Sequence, residues 1–266
     1  MPTLPFKPWP TAIAVAVTLL IWLAIPLPEG LTSDAWLMLA IFVGTIAAII
    51  GKAMPIGAIS IIAIAIVAAS GVTSDNPGTA INDALSSYSN SLIWLIAISI
   101  MISRGLIKTG LGARIGYYFI SIFGKKTLGI GYSLAFSELC IAPVTPSNTA
   151  RGGGIMHPIM RSIAKGFDSR PEDGTSSKIG KYLALVNYHS NPITSAMFVT
   201  ATAPNPLTVE LISIATGAEI QLSWMTWALA MLLPGLVAIL AMPYILYLLY
   251  PSDIKQTPHA THMARD

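Results

Sequence analysis

The placement of charge constrains this chain more than any other feature. Residues 8–28, 35–51, 53–74, 84–103, 182–209 and 220–252 contain no Asp, Glu, Lys or Arg. About 20 apolar residues in a helix cross the ~30 Å hydrocarbon core of a bilayer. Only 10% of the chain is charged while 54% is hydrophobic, too little charge to clothe a soluble core of this size. The class is an all-α, polytopic membrane protein. Residues 11–28, 35–50, 54–72 and 84–103 read as spans one to four, and 223–250 as the last span. The first run is long for a signal-peptide core, and no small-x-small cleavage site follows it, so it reads as a retained span. A single cysteine, Cys140, excludes an intrachain disulfide, and three of the four histidines lie at Met-rich or tail positions without metal-ligand spacing.

The loops set orientation. Lys7 precedes span one; Glu29 and Asp34 follow it; Lys52 follows span two; Asp75 and Asp83 follow span three; Arg104, Lys108, Arg114, Lys125 and Lys126 follow span four. Basic and acidic connections alternate, which places the N-terminus in the cytoplasm. Residues 127–160 carry only Glu138 and Arg151, and Arg161, Lys165, Arg170, Lys178 and Lys181 follow them. This segment has basic flanks on both sides, so it enters and leaves from one face. The basic stretch 161–181 is read as a cytoplasmic signature. The chain divides into 1–126, 127–222, 223–250 and a polar cytoplasmic tail, 251–266, read as truncated.

The middle of that returning segment, APVTPSNTARGGGIMHP at 142–158, is rich in helix breakers. As helix, Ser147 to Arg161 covers only about 21 Å. The expectation is a re-entrant hairpin with its tip near mid-membrane, where irregular backbone is tolerated only against protein or a wet cavity. Pro143 and Pro146 end the first arm. Thr145 or Ser147 caps the second, whose start carries free N–H donors suited to an anion. Ser147, Asn148 and Thr149 add side-chain donors, and Gly152, Gly153 and Gly154 permit close approach of a neighbouring helix. A second break, TATAPNP at 200–206, makes an unwound membrane helix: Thr200 and Thr202 precede it, and Asn205 is expected to cap a half-helix beginning at Pro206. Two such interruptions point to a mid-membrane binding site. Arg151 either balances an anionic substrate or pairs with Glu138. His189 either senses protons or touches substrate, or it packs with a hydrogen bond. Trp224 and Trp227 read as interfacial anchors.

PSNTARGGG at 146–154, with IGKYL at 179–183, SAMFVTATAPNP at 195–206 and LPEGLTSDAW at 27–36, resembles the divalent anion/sodium symporter family along the whole chain. Within that family the likeness is strongest to bacterial citrate–succinate and tartrate–succinate antiporters and plastid 2-oxoglutarate–malate translocators. The resemblance implies an inner-membrane carrier of di- and tricarboxylates, not an enzyme, built from two inverted repeats. Such carriers work as homodimers with an elevator-like movement. It implies that Ser147, Asn148 and Thr149 hold one carboxylate, with Thr202, Pro204 and Asn205 beside them and Arg151 added from the intramembrane charge. Residues 1–126 become scaffold and dimer interface; 127–222 become the transport region. No nucleic-acid partner and no cofactor are expected, beyond a residual sodium site at Ser147, Asn148 and Ala201. That site looks poor, because Pro143 stands where sodium-coupled members offer a serine oxygen, and Ala201 where they have glycine. Exchange is therefore expected. The alternatives are a sodium-coupled symporter, a non-transporting remnant or partner subunit, since one repeat is present, and an intramembrane hydrolase using Ser147 and His189, which lacks a nucleophile elbow.

Overall fold

A computed structural model describes residues 6–263. The first five residues of the N-terminal segment and the last three of the tail lie outside the described residues. Within them the secondary structure is helical, with one isolated antiparallel bridge between Lys126 and Gln256. The chain forms two compact units, divided between Ile93 and Trp94.

The first unit holds α1 (Pro8–Leu19, continued by a π turn, Leu20–Ala24), α2 (Ser33–Ile50), α3 (Ile56–Ser70) and α4 (Pro77–Leu85). Local chemistry sets their ends. Pro8 opens α1, where its missing N–H costs nothing. The Thr32 side chain accepts from the Ala35 N–H at 3.2 Å, with Asp34 in the same first turn. Asn76 accepts from Gly78 and Thr79 ahead of α4. Gly71 closes α3 in the left-handed region at φ 67°. The shared core is small, made of Ala14, Ala48, Ala53 and Ile59. Large side chains such as Ile13, Leu23, Phe42, Ile50 and Ile61 point outward. A soluble domain rarely exposes so much apolar surface; lipid is the solvent that suits it.

The second unit contains most of α5 (Ser91–Lys108), then α6 (Leu111–Phe123), α7 (Thr127–Ile141), α8 (His157–Gly166), α9 (Gly180–Met197), α10 (Pro204–Ala215), α11 (Trp224–Leu249) and α12 (Pro258–Met263). Its core gathers Ile120, Ile130, Leu134, Ile155, Ile159, Leu183 and Val186. Helix α9 is central, packed by α7, α8 and α11. Helix α11 runs unbroken through Pro234 and Pro243. The hydroxyls of Tyr132 and Tyr182 donate to the carbonyls of Leu240 and Pro243, at 2.7 and 3.2 Å, where a proline disturbs the ladder.

Ser33–Ile50, Thr127–Val144 and Trp224–Leu249 are long and apolar enough to cross a membrane. Span four of the sequence reading is interrupted: a 3₁₀ turn, Ser86–Ser89, separates α4 from α5. Helix α6 fills a stretch the sequence reading treated as connection. It buries Gly112, Gly116 and Ile120 and packs on α7, so it belongs with the second unit rather than with the first four spans.

Candidate functional site

The chain reverses between α7 and α8. Helix α7 gives way to a 3₁₀ turn, Ala142–Val144, then to non-helical Thr145–Ser147. Helix resumes at Asn148 and passes through a π segment, Ala150–Met156, into α8. Prolines at 143 and 146 supply the break. The Ser147 hydroxyl oxygen accepts from the Ala150 N–H at 3.2 Å, so Ser147, rather than Thr145, caps the second arm. Glu138 and Arg151, placed on either side of the turn, meet at 3.3 Å, which fixes the two arms as an antiparallel hairpin.

Arg151 is fully buried, and every N–H of its guanidinium is engaged. Nε donates to Glu138 Oε1. Nη1 donates to the carbonyls of Thr145, at 2.9 Å, and Ala201, at 3.0 Å. Nη2 donates to the hydroxyls of Thr194, at 3.3 Å, and Ser195, at 2.7 Å. Of the two roles open to Arg151, the structure shows the ion pair. In this arrangement every guanidinium donor is taken up within the chain. Arg151 joins the first arm, the tip, α9 and the second break.

The second break also departs from expectation. Helix α9 ends at Met197, a 3₁₀ turn covers Val199–Ala201, Thr202 is extended, and α10 starts at Pro204 rather than Pro206. Proline's fixed φ suits the first helical position, and Pro204 reaches it first. Asn205 therefore lies inside the first turn and caps nothing. Its amide reaches back to the carbonyls of Ser195, at 2.7 Å, and Phe198, at 3.0 Å, closing the end of α9 instead. The two breaks touch directly: the Thr200 hydroxyl donates to the Pro143 carbonyl at 2.6 Å. The Trp224 indole donates to Thr200 and the Trp227 indole to the Ala196 carbonyl, so the tryptophans pin α11 to the second break and to the last turn of α9 before it.

Sequence reasoning missed Asn191. Its amide nitrogen donates to Glu138 Oε1 at 2.6 Å and to the Asn148 carbonyl at 2.9 Å. With Asn187, Thr194 and Ser195 it forms a polar stripe at helical spacing through an apolar segment, a pattern the sequence does carry. Of the three glycines, only Gly152 faces a close neighbour: a Cβ there would lie 2.8 Å from Asn191 Nδ2, whereas Gly153 has nothing within 4 Å. His189 is exposed, its ring edge-on to Tyr188, and makes no bond to Ser147.

Once these bonds are satisfied, some donors remain. Ser147 and Asn148 are half-buried and Thr149 is exposed. Asn148 Oδ1 accepts from the Thr149 N–H at 2.8 Å, which turns its amide nitrogen away from the backbone. Among the described residues, neither that nitrogen nor the Thr202 hydroxyl has a partner within the chain. Thr145 Oγ1 and Glu138 Oε2 are buried without partners. Asn148 Nδ2 and the Thr202 hydroxyl are donors without protein acceptors, beside the charge-balanced Arg151–Glu138 pair, and can serve the oxygens of a small anion.

Comparison with known proteins shows which family the chain belongs to. YflS of Bacillus subtilis (strain 168), provisionally named a malate transporter, is 50% identical over 257 residues, 97% of this chain and 52% of that protein. Dicarboxylate transporter 1 of the spinach (Spinacia oleracea) chloroplast is 40% identical over 266 residues, 98% of this chain and 45% of its own length. The L-tartrate/succinate antiporter of Escherichia coli (strain UTI89 / UPEC) is 38% identical over 263 residues, 94% of this chain and 54% of that antiporter. The chain spans about half the length of the curated relatives it matches. The family model described as the sodium:sulfate symporter transmembrane region matches residues 6–266, and the chain belongs to that family.

Proposed function

We propose that this chain supplies one half of the binding site of a secondary transporter for di- or tricarboxylate anions, working by exchange. The observation that carries the reading is the joining of two broken helices by Arg151, with Asn148 Nδ2 and the Thr202 hydroxyl left as donors beside the joint. A carboxylate offers acceptors to such donors and gains from the partial positive charge of the helix that starts at Asn148. Ser147 holds that start in place, and Thr149 fixes the rotamer of Asn148. On this reading the hairpin is re-entrant, the N-terminus is cytoplasmic, the membrane is the bacterial inner membrane, and the protein works as a dimer.

Exchange without sodium follows from the same clamp. A sodium ion between the breaks would draw on oxygens of Ser147, Asn148 and Ala201. The Ala201 carbonyl instead accepts from Arg151, the Pro143 carbonyl accepts from Thr200, and Pro143 has no side-chain oxygen. Hard cations need several oxygens. This reading therefore assigns no sodium ion to Ser147, Asn148 and Ala201.

The test is binding of radiolabelled malate and succinate to the chain in lipid nanodiscs, with and without sodium. Half a site is expected to bind weakly, and Asn148→Ala to abolish that binding while membrane insertion persists. Unchanged binding in Asn148→Ala removes the triplet from the site. A requirement for sodium overturns the exchange reading.

A further inference from the structure

We propose that a basic cavity between α8, the 167–179 loop and the start of α9 docks a phosphate-bearing anion, the headgroup of an anionic phospholipid being the source that fits best. The cavity measures about 740 Å³ and shares no lining residue with the hairpin tip.

Its chemistry begins with α8. Ile159, Met160, Ile163 and Ala164 are buried on one face, which leaves Arg161 and Lys165 exposed on the other. They stand four residues apart, where like charges repel. Among the described residues neither has a carboxylate within salt-bridge distance. Arg170 reaches Asp168 and Asp173 only at 3.9 and 4.0 Å, and the Lys181 ammonium sits 4.9 Å over the Tyr250 ring. Arg161, Lys165 and Arg170 thus bring three cations to one concavity against two carboxylates, Glu172 and Asp173, while Lys181 lines it with its ammonium over Tyr250, a ring outside that lining. A cytoplasmic signature requires positive charge in a loop; it requires neither a hollow nor a fixed frame.

The frame here is fixed. The Ser169 hydroxyl accepts from the N–H groups of Ile179 and Gly180 and donates to the Thr175 carbonyl. The Thr175 hydroxyl accepts from the Arg170 N–H and donates to the Asp168 carbonyl. These bonds hold the loop that carries Arg170 against the helix that carries Lys181, so the backbone that presents the cations is fixed before anything binds. Guanidinium groups match phosphate oxygens in pairs. Part of the wall is apolar, formed by Met160 and Ala164, next to Arg161 and Lys165 on α8, and by Ala184. A free phosphate fills a small part of this volume and leaves that apolar part wet. A headgroup with the first carbons of its acyl chains covers the charged and the apolar parts, at the helix ends where basic loops meet the membrane surface.

The experiment uses the purified chain in neutral detergent. Phosphatidylglycerol, phosphatidylcholine, inorganic phosphate and succinate are titrated at matched ionic strength, with native mass spectrometry and affinity measurement as readouts. Phosphatidylglycerol is expected to bind in preference to phosphatidylcholine and to survive delipidation. The exposed double variant Arg161→Gln/Lys165→Gln is expected to weaken it ~30-fold. Arg104→Gln/Arg114→Gln, which removes the same charge from outside the cavity, is expected to leave it unchanged. Phosphate that binds with the same variant dependence, but without a lipid adduct, assigns the cavity to a soluble phosphate. Equal losses in both double variants, no preference over phosphatidylcholine, or equally tight succinate binding overturns the proposal.

Discussion

At the scale of the residue, Arg151 sets the terms. Withdrawing a guanidinium and a carboxylate from water costs several kcal/mol per ion, and attraction offsets this only where the remaining donors are satisfied. Arg151 meets that condition through Glu138, Thr145, Thr194, Ser195 and Ala201. Lysine cannot replace it, since a single ammonium cannot fork toward two breaks at once. Removing one partner alone leaves the other buried and uncompensated. Glu138→Ala is therefore expected to destabilise the chain by about 3–5 kcal/mol, and adding Arg151→Met to recover part of that loss. Reversible unfolding in detergent of both single variants and the double gives the coupling. Additive losses show that the pair is not the clamp. Arg151→Lys is expected to keep the fold and lose malate binding, read by labelled-ligand binding beside circular dichroism; retained binding shows that the fork is dispensable.

At the scale of the element, the hairpin depends on how closely its second arm approaches α9. Asn191 sits against Gly152 and from there holds both Glu138 and the Asn148 carbonyl. Gly152→Ala drives a methyl group into that amide, with an expected loss of about 1–3 kcal/mol and weaker carboxylate binding. Gly153→Ala meets open space and is expected to be neutral or to stabilise by up to about 1 kcal/mol, by helix propensity. Thermal unfolding of the two variants side by side decides it; equal effects show that propensity, not contact, governs the arm. The contrast also marks what the sequence could carry. Prolines at 143 and 146 act on their own backbone, so the break was legible. Which of three adjacent glycines meets a neighbour depends on the rotation of the arm against α9, which no local pattern encodes. Helix α6 did leave a trace, with Gly112, Gly116 and Ile120 spaced four apart. The basic residues around it read as a loop and hid that periodicity. Asn205 failed for a related reason: a cap and a first-turn residue look alike until the start of the helix is fixed.

At the scale of the whole second unit, the two helices that end in breaks are also tied at their opposite ends. The segment after α11, read as a polar cytoplasmic tail, crosses both starts. The Thr127 N–H and hydroxyl donate to the carbonyls of Lys255 and Ile254, at the beginning of α7. The Asp253 and Ile254 N–H groups donate to Ser177 and Lys178, and the Ser252 hydroxyl to Lys178, just before α9. The buried Thr257 hydroxyl donates to the Gly124 carbonyl at 2.8 Å. Polar composition did not reveal this, because hydrogen bonds to distant carbonyls need no sequence pattern beyond a few hydroxyls. Arg151 fastens α7 and α9 near their breaks and this strap fastens their bases, so the pair is held as one rigid lever. Thr257→Val keeps the shape and deletes one buried bond, worth about 1 kcal/mol. Amide exchange around Thr127 and Lys178 is then expected to quicken about fivefold, while amides at 148–151 hold their rate. A chain cut after Tyr250 is expected to show the same pattern more strongly. Equal acceleration at the tip shows that the base and the breaks open together, and that the clamp at Arg151 does not hold on its own.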